Sequence, residues 1–150
     1  MMKLPVVVLA LMIGLSLLAP VLTSLDPMQT NPPDQLQPPD TRHFLGTDAL
    51  GRDVFSRMLY GGQRTLLLTA LATVVTLVGG ISLGLAAGIA GGWGERAAAV
   101  VTNALLALPG LLLALVVVTL LGAGGWSLAL ATGLAQVGAY ARVTRAALVS

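Results

Sequence analysis

Three long stretches without a charged side chain dominate the hydropathy pattern. They cover residues 4–25, 65–94 and 97–141. A helix needs about 20 mostly apolar residues to cross a bilayer, so the first two stretches each hold one such helix and the third holds two. A glycine-rich cluster at 122–125 provides the turn that the third stretch requires. The pattern therefore predicts an all-α integral membrane protein with four transmembrane helices, near 4–24, 65–89, 97–121 and 126–141.

The first apolar stretch is also compatible with a secretory signal peptide, because Lys3 precedes an apolar run that ends among small residues. The run is about 20 residues long, whereas a signal core usually has roughly 7–15 residues. In addition, no clear Ala-x-Ala-like cleavage site occurs within Ala19–Ser24. We therefore expect residues 1–25 to form a retained first transmembrane helix.

The sizeable polar region after the first helix changes composition along its length. Five of the eight prolines lie between Asp26 and Asp40, which excludes a helix or a central strand there. Residues 26–46 are accordingly predicted to form a proline-rich external loop. From Thr47 no proline occurs for about the next 60 residues, and Thr47 or Asp48 is available as the N-cap of a helix.

Residues 47–62 have the periodicity of an amphipathic helix. At about 100° per residue, one half of the helix collects apolar side chains, namely Leu50, Val54, Phe55, Met58 and Leu59. The other half collects polar ones, namely Arg52, Asp53, Ser56 and Arg57. This pattern predicts a helix on the membrane surface, which Gly61 and Gly62 end before the chain enters the bilayer. The segment 63–150 then forms the main transmembrane domain.

Small residues recur every four positions in the second membrane helix and beyond it, at Ala72, Thr76, Gly80, Gly84, Gly88 and Gly92. Such spacing makes a ridge along one side of a helix, where another helix can approach closely. We expect a helix-packing seam at the four glycines. The alternative is that glycine is simply common in membrane helices.

Pro109, followed by Gly110, falls inside the predicted helix over 97–121. Proline removes one backbone hydrogen bond, so the sequence predicts a kink, which requires neighbours or a cavity to satisfy the freed carbonyl. A kink beside a transport path and a purely structural kink are both compatible with this pattern.

The distribution of basic residues does not by itself orient the helices. With the N-terminus inside the cell, four basic residues fall on each side: Lys3, Arg96, Arg142 and Arg145 inside, and Arg42, Arg52, Arg57 and Arg64 outside. Acidic residues accompany mainly the outer arginines, which gives slight support to a cytoplasmic N-terminus.

The composition excludes several classes of protein. Only 14 of the 150 residues are charged and 56% are hydrophobic, whereas an average soluble chain has roughly 25% charged residues. A soluble domain is therefore excluded. The absence of cysteine excludes disulfides and thiolate metal sites. The net charge of +2, without a basic run, gives no reason to expect nucleic acid as a partner.

The sequence contains few of the residues that catalytic sites use. His43 is the single histidine and Glu95 the single glutamate, and the single lysine is Lys3, so metal motifs and a phosphate-binding Walker loop lack their residues. A triad of Ser56, His43 and an aspartate lacks the strand-turn-helix context of such a nucleophile. We expect no catalytic, metal-binding or cofactor-binding residue, and no ionisable residue lies within a predicted span.

One segment of the sequence resembles a known protein family and thereby indicates a function. The segment HFLGTDALGRDVFSRMLYGGQRTL, which begins at His43, resembles the signature of dipeptide/oligopeptide/nickel ABC importer permeases of the second-subunit branch. The resemblance continues at 91–93, 107–114 and 139–145, while Phe44, Leu108 and the pair Gln136-Val137 depart from the common pattern. The signature residues are Gly46, Thr47, Asp48, Leu50, Gly51, Arg52, Asp53, Ser56 and Arg57.

The resemblance implies the N-terminal part of a type I ABC importer permease, with the N-terminus in the cytoplasm of a prokaryotic cell and a multi-pass course through its inner membrane. It implies a second permease subunit, two ATP-binding subunits and an extracytoplasmic substrate-binding protein as partners, besides membrane lipid. Arg142 and Arg145 would approach the cytoplasmic loop that couples to the ATPase. The chain stops before this loop, so we expect either a fragment or a truncated gene product.

The resemblance implies a structural role for the signature residues, in capping, turning and pairing, with contact to the binding protein as the alternative. It leaves open which solute is carried. A small membrane-embedded structural or assembly protein, or a non-functional truncated permease, remains the alternative to a transport subunit. These alternatives explain the composition equally well, but they do not explain the family signature.

Overall fold

The computed structural model describes residues 3–149 and contains only helices as regular secondary structure over that range. The helices are α1 Lys3–Leu17, α2 Ala19–Leu22, α3 Val54–Ile89, α4 Gly92–Ala107, α5 Gly110–Leu121 and α6 Gly125–Val149, with a 3₁₀ turn at Pro32–Asp34. This architecture confirms the predicted all-α class. The chain forms two compact units, Met1–Leu67 and Leu68–Ser150, and their boundary falls inside α3.

In the first unit, the predicted helix near 4–24 is divided into α1 and α2. Leu18 leaves the helical conformation with φ −86° and ψ 7°, and Pro20 in the first turn of α2 has no backbone N–H to donate. The break is slight, since the N–H of Leu18 still donates to the Gly14 carbonyl at 3.0 Å.

The prediction of a surface helix over 47–62 is wrong at both ends of the helix. Helix α3 begins at Val54, because residues 47–53 form a turn in which Thr47 and Asp53 make an isolated antiparallel bridge. The helix then runs through Gly61 and Gly62 without a break. A Cβ at Gly62 would lie 2.3 Å from the Ser16 hydroxyl oxygen, so this glycine allows α1 to approach α3 closely instead of ending it.

In the second unit, α6 packs along the part of α3 that belongs to this unit. The two helices run parallel, since Gly125 faces Leu68 near the start of this contact and Gly88 faces Leu148 near its end. The side-chain hydroxyl of Thr76 donates to the Gly133 carbonyl at 3.0 Å in the buried contact between them. Helix α6 therefore forms the centre of the unit, and α4 and α5 pack on it as well.

The predicted kinked helix over 97–121 is two helices in the structure. Helix α4 ends at Ala107, and α5 starts at Gly110 at an angle of 94° to it. Leu108 is extended, with φ −83° and ψ 126°, because the ring of a following proline disfavours helical geometry. Pro109 instead starts α5, where its carbonyl accepts a hydrogen bond from the Leu112 N–H at 2.8 Å.

Length and apolar composition identify one described helix that can cross a membrane by itself, α3 over Val54–Ile89. Helices α4 and α5 meet the same criterion only when they are taken together across their bend. The apolar segment Leu4–Leu17 is shorter than a full span. Helix α5 fully buries none of its residues within the described chain, and Leu111, Leu115, Val116 and Leu120 on its outer side remain open to lipid or to another protein.

Candidate functional site: the signature loop and the helix seam

The proline-rich segment is hydrogen-bonded to the signature turn. The N–H of Asn31 donates to the Leu50 carbonyl at 3.1 Å, and the N–H of Thr47 donates to the Gln37 carbonyl at 3.1 Å. The Thr47 hydroxyl accepts from the Gln37 N–H at 2.9 Å and donates to the Asp34 carbonyl. These bonds join residues 31–37 and 47–53 into one folded unit, which we call the signature loop. The region predicted as a separate external loop is thus part of the same structure.

Two signature glycines occupy positions in this loop that a side chain would disrupt. Gly46 has φ +72° and Gly51 has φ +71°, which are left-handed conformations that glycine adopts without steric cost. A Cβ at Gly46 would lie 2.4 Å from the Gln37 carbonyl oxygen, and one at Gly51 would lie 1.8 Å from the Asn31 carbonyl oxygen. Both glycines therefore allow the proline-rich segment to pass directly over the turn.

The carboxylate of Asp48 organises the turn. Its Oδ1 accepts the backbone N–H groups of Leu50 at 2.8 Å and Arg52 at 3.0 Å. Its Oδ2 accepts the Arg52 Nε–H at 2.9 Å and also binds the Arg57 guanidinium. Desolvation opposes ionisation of Asp48, but the backbone hydrogen bonds from Arg52 and Leu50 and the Arg52 guanidinium outweigh it and lower its pKa to about 2.

This lowered pKa predicts an acid-sensitive loop. A carboxylate whose pKa is lower in the folded state stabilises that state at pH values above its ordinary pKa of 3.8, and the contribution is lost as pH falls towards about 2. We expect the melting temperature of the chain in detergent to be steady from pH 7 to about pH 5 and to fall between about pH 4 and pH 2. In Asp48→Asn that acid-dependent fall should be smaller. An equal fall in the variant and the parent chain would contradict the assignment.

Asp53 is buried at the start of α3 and caps it. Its Oδ2 accepts a hydrogen bond of 2.7 Å from the N–H of Ser56, which lies three residues further along the chain. This is the hydrogen bond that a helix N-cap makes. Its Oδ1 lies 2.9 Å from Nδ1 of His43, and the Ser56 hydroxyl shares a hydrogen bond of 2.7 Å with the Thr23 hydroxyl. Burial opposes ionisation, but the bonds from Ser56 and His43 outweigh it and lower the pKa of Asp53. The cap is therefore Asp53 and not Thr47 or Asp48.

The three residues considered for a hydrolytic triad meet in this cluster, but in an arrangement that does not activate a nucleophile. Ser56 is fully buried, and the hydrogen-bond partner of its hydroxyl is Thr23 and not a histidine nitrogen. Nε2 of His43 has no hydrogen-bond partner within the described residues and lies 4.0 Å from Asp34 Oδ2. It borders a cavity of about 40 Å³ with Asn31 and Gln29. The cluster thus fastens the first turn of α3 to the chain before it.

The seam glycines lie at the contact between α3 and α6. A Cβ at Gly80 would lie 2.6 Å from the Tyr140 Cβ, and one at Gly88 would lie 2.9 Å from a methyl carbon of Leu148. At Gly84 it would lie 2.5 Å from the Thr144 Cβ and 2.7 Å from the Ala141 carbonyl oxygen. Gly92 does not share this contact, because α3 ends at Ile89 and nothing lies within 4 Å of a Cβ at Gly92.

The two arginines near the end of α6 differ in their surroundings. The Arg145 guanidinium forms an ion pair with Glu95 at the start of α4, and both side chains are about two-fifths exposed. Such an exposed pair contributes roughly 0–1 kcal/mol to folding stability. It therefore shows that the end of α6 lies close to the start of α4, but it stabilises this contact little. Arg142 is exposed and has no ion pair within the described chain.

Sequence reasoning missed the residues of α6 that receive α3. A Cβ at Gly133 would lie 2.7 Å from the Val75 Cβ, and Gly138 makes a similarly close approach to Leu106 of α4. The signal was present, since small or β-branched residues recur every four positions in this helix as they do in α3. They are Gly125, Ala129, Gly133, Val137 and Ala141.

Within residues 3–149, no group of three or more histidine, aspartate or glutamate side chains is arranged to hold a metal ion. The described geometry offers capped helix ends, a rigid polar loop and a close helix contact. These features position helices relative to one another.

Comparison with known proteins identifies the family. No family model matches the chain. The dipeptide transport system permease protein DppC of Alkalihalophilus pseudofirmus is 33% identical over 144 residues, which cover 96% of this chain and 47% of that protein. The di/tripeptide transport system permease protein DppC of Pseudomonas aeruginosa is 36% identical over 146 residues, covering 93% and 48%. The chain belongs to the peptide and nickel permease family.

A third relative extends the range of solutes named in this family. The nickel transport system permease protein NikC of Escherichia coli is 32% identical over 150 residues, which cover 99% of this chain and 53% of that protein. The chain thus spans about half the length of the curated relatives it matches. Its relatives are transport permeases and not enzymes, and the resemblance that the signature indicated is confirmed.

Proposed function

We propose that the chain forms part of a membrane-spanning permease subunit in an ATP-driven importer of peptides or related small solutes. One observation carries this proposal: the similarity extends over 93–99% of the chain to proteins named for dipeptide, di/tripeptide and nickel transport. A structural or assembly protein of the same composition is not favoured, because these relatives are permeases.

The parallel course of α3 and α6 supports the proposed number of membrane crossings. Their contact extends from Leu68 to Gly88 of α3, about 30 Å at 1.5 Å per residue, which matches the apolar thickness of a bilayer. If both helices cross in the same direction, the chain between them must cross back, and α4 with α5 is available for this. Together with α1 and α2 this gives four crossings, as in the N-terminal part of a type I importer permease.

The ion pair between Arg145 and Glu95 supports the same topology. It brings the start of α4 close to the end of α6, and four crossings require these two ends to lie on the same side of the membrane. We propose that this side is the cytoplasm of a prokaryotic cell, that the N-terminus lies there as well, and that Arg142 and Arg145 lead towards the loop that couples to the ATPase.

The proposed partners are a second permease subunit, two ATP-binding subunits and an extracytoplasmic substrate-binding protein. The exposed apolar side of α5, with Leu111, Leu115, Val116 and Leu120, is available to contact lipid or the second permease. The signature loop would lie at the outer surface and hold the first turn of α3. In this role its polar residues are structural, and contact with the binding protein is the alternative.

The proposed subunit performs no covalent chemistry. It would alternate between outward-open and inward-open packings as the ATP-binding subunits close and open, which is a shift in populations driven by differential binding. The seam between α3 and α6 would move as one body, because its glycines leave no space for relative sliding of the two backbones.

Affinity purification from native membranes tests the proposed assembly. We expect a second permease, ATP-binding subunits and a binding protein to co-purify with the tagged full chain when it is expressed at its natural level. Stable insertion of the full chain without any of these proteins would contradict the proposal.

Cysteine labelling tests the proposed membrane topology. Because the chain has no cysteine, single cysteines introduced at Thr41 and Ala97 can be labelled from either side. The two positions flank α3, so a membrane-spanning α3 predicts that they are labelled from opposite sides.

A further inference from the structure

An open cavity lies beside the first turns of α3 and is lined in part by Arg57, which also binds Asp48 of the signature loop. It has a volume of about 430 Å³, within the range of roughly 300–1,000 Å³ typical of small-molecule sites. Its polar lining consists of Arg57, Tyr60, Gln63 and Arg64, and its apolar lining includes Pro27 and Met28. All of these residues belong to the first unit of the chain.

The cavity carries an excess of positive charge. Arg57 shares the Asp48 carboxylate with Arg52, so one negative charge serves two guanidinium groups. Arg64 is exposed and forms no hydrogen bond or ion pair within residues 3–149. Asp26 precedes Pro27 in the sequence but does not line the cavity, and one of its carboxylate oxygens already accepts the Met28 N–H at 2.8 Å. Two arginines and no acidic residue line this cavity, and Arg64 has no carboxylate partner within residues 3–149.

The position of the cavity along α3 places it at the surface of a membrane. Arg64 is the last charged residue before the 30 uncharged residues from Thr65 to Gly94. From Thr65 to Ile89, α3 extends about 37 Å at 1.5 Å per residue, which exceeds the apolar thickness of about 30 Å. Arg64 therefore lies at headgroup level when α3 spans, and Tyr60 lies one turn further out, where tyrosine is enriched in membrane proteins.

We propose that this cavity binds the phosphate of an anionic phospholipid headgroup. The guanidinium groups of Arg64 and Arg57 would bind the phosphate oxygens, as arginine does in charge-assisted pairs. The Tyr60 hydroxyl and the Gln63 amide would donate hydrogen bonds to the same headgroup, and Pro27 and Met28 would contact its glycerol carbons. The inference rests on the membrane position of α3 and not on transport, so its failure would leave the proposed function unchanged.

Native mass spectrometry of the full chain in detergent tests this site, with phosphatidylglycerol and phosphatidylcholine as probes. We expect the chain to retain one phosphatidylglycerol, with about tenfold preference over phosphatidylcholine. Arg64→Gln should lose most of this preference, and Arg64→Lys should keep part of it. Arg96→Gln is the matched control, because it removes an exposed arginine beyond the other end of the same uncharged stretch. It should bind phosphatidylglycerol as the parent chain does.

Two further measurements keep the result unambiguous. Circular dichroism of Arg64→Gln should match the parent chain, and Tyr60→Phe, which removes one hydroxyl only, should weaken binding about threefold. Equal binding of both lipids, or unchanged phosphatidylglycerol binding in Arg64→Gln and Tyr60→Phe, would overturn the proposal. Inorganic phosphate at millimolar concentration should not displace the lipid. Displacement by phosphate, with phosphate bound in the absence of lipid, would overturn the lipid as the ligand.

Discussion

Replacing Gly84 by leucine is expected to separate α3 from α6 and to cost about 3 kcal/mol or more of folding stability. A Cβ there already lies 2.5 Å from the Thr144 Cβ and 2.7 Å from the Ala141 carbonyl oxygen. The second of these is a backbone atom of a packed helix and cannot rotate away. Equilibrium unfolding in mixed detergent micelles, followed by the fluorescence of Trp93 and Trp126 at the starts of α4 and α6, measures the loss.

A matched pair of alanine substitutions in α3 separates packing from helix propensity. Gly84→Ala introduces the Cβ alone and should destabilise the chain by about 1–3 kcal/mol. Gly61→Ala makes the same change in the same helix at a position with nothing within 4 Å of the new atom. Since alanine favours a helix over glycine by roughly 0.5–1 kcal/mol, Gly61→Ala should be neutral or stabilising. Equal effects at both positions would refute the close contact of α3 with α6.

Gly51→Ala is expected to open the signature loop. The new Cβ would lie 1.8 Å from the Asn31 carbonyl oxygen, and the residue would also have to keep φ +71°. The left-handed conformation alone costs about 1–2 kcal/mol, and the overlap with backbone adds to it, so we expect a loss of about 3 kcal/mol or more. Hydrogen exchange measured by mass spectrometry should report faster exchange at the N–H groups of Asn31, Leu36 and Thr47.

Gly91→Ala is the control for the conformational cost alone. Gly91 has φ +57°, and nothing lies within 4 Å of a Cβ built there. With ψ 168° this conformation is essentially confined to glycine, so Gly91→Ala should lose about 1–3 kcal/mol and leave exchange in the signature loop unchanged. If Gly51→Ala protected the loop amides as well as the parent chain does, the close passage of Asn31 over the turn would be wrong.

The helix seam illustrates what the sequence can predict. Spacing of four residues is a local property, so the ridge at Gly80, Gly84 and Gly88 was visible from the chain alone. Its partner was not, because nothing in the spacing says which of several apolar helices will approach. Gly133 of α6 carries the same kind of signal, and only the structure shows that it meets Val75.

The start of α3 illustrates where periodicity fails. Asp53 and Ser56 were assigned to a solvent-facing half because they are polar, but both are buried, with exposed fractions of 5% and 0%. Their partners are His43 and Thr23, which lie 10 and 33 residues away from them in sequence. Periodicity assumes that polar groups seek water, and it cannot anticipate hydrogen-bond partners supplied by distant residues.

The sequence predicts the position of the bend between α4 and α5 but not its angle. Pro109 identifies where a helix loses a backbone donor and where the preceding residue becomes extended. The angle of 94° depends on how both helices pack on α6, which is a tertiary property. A single span over 97–121 and two bent helices are therefore indistinguishable from the residues alone.

Uptake of labelled solutes by cells tests the central claim most directly. Cells that lack the gene encoding the chain should take up at least one labelled dipeptide, oligopeptide or nickel probe more slowly than the parent strain. The chain restored on a plasmid should recover ATP-dependent uptake, and the Gly84→Leu chain should not. Unchanged uptake of every probe in cells without the gene would contradict a role in import.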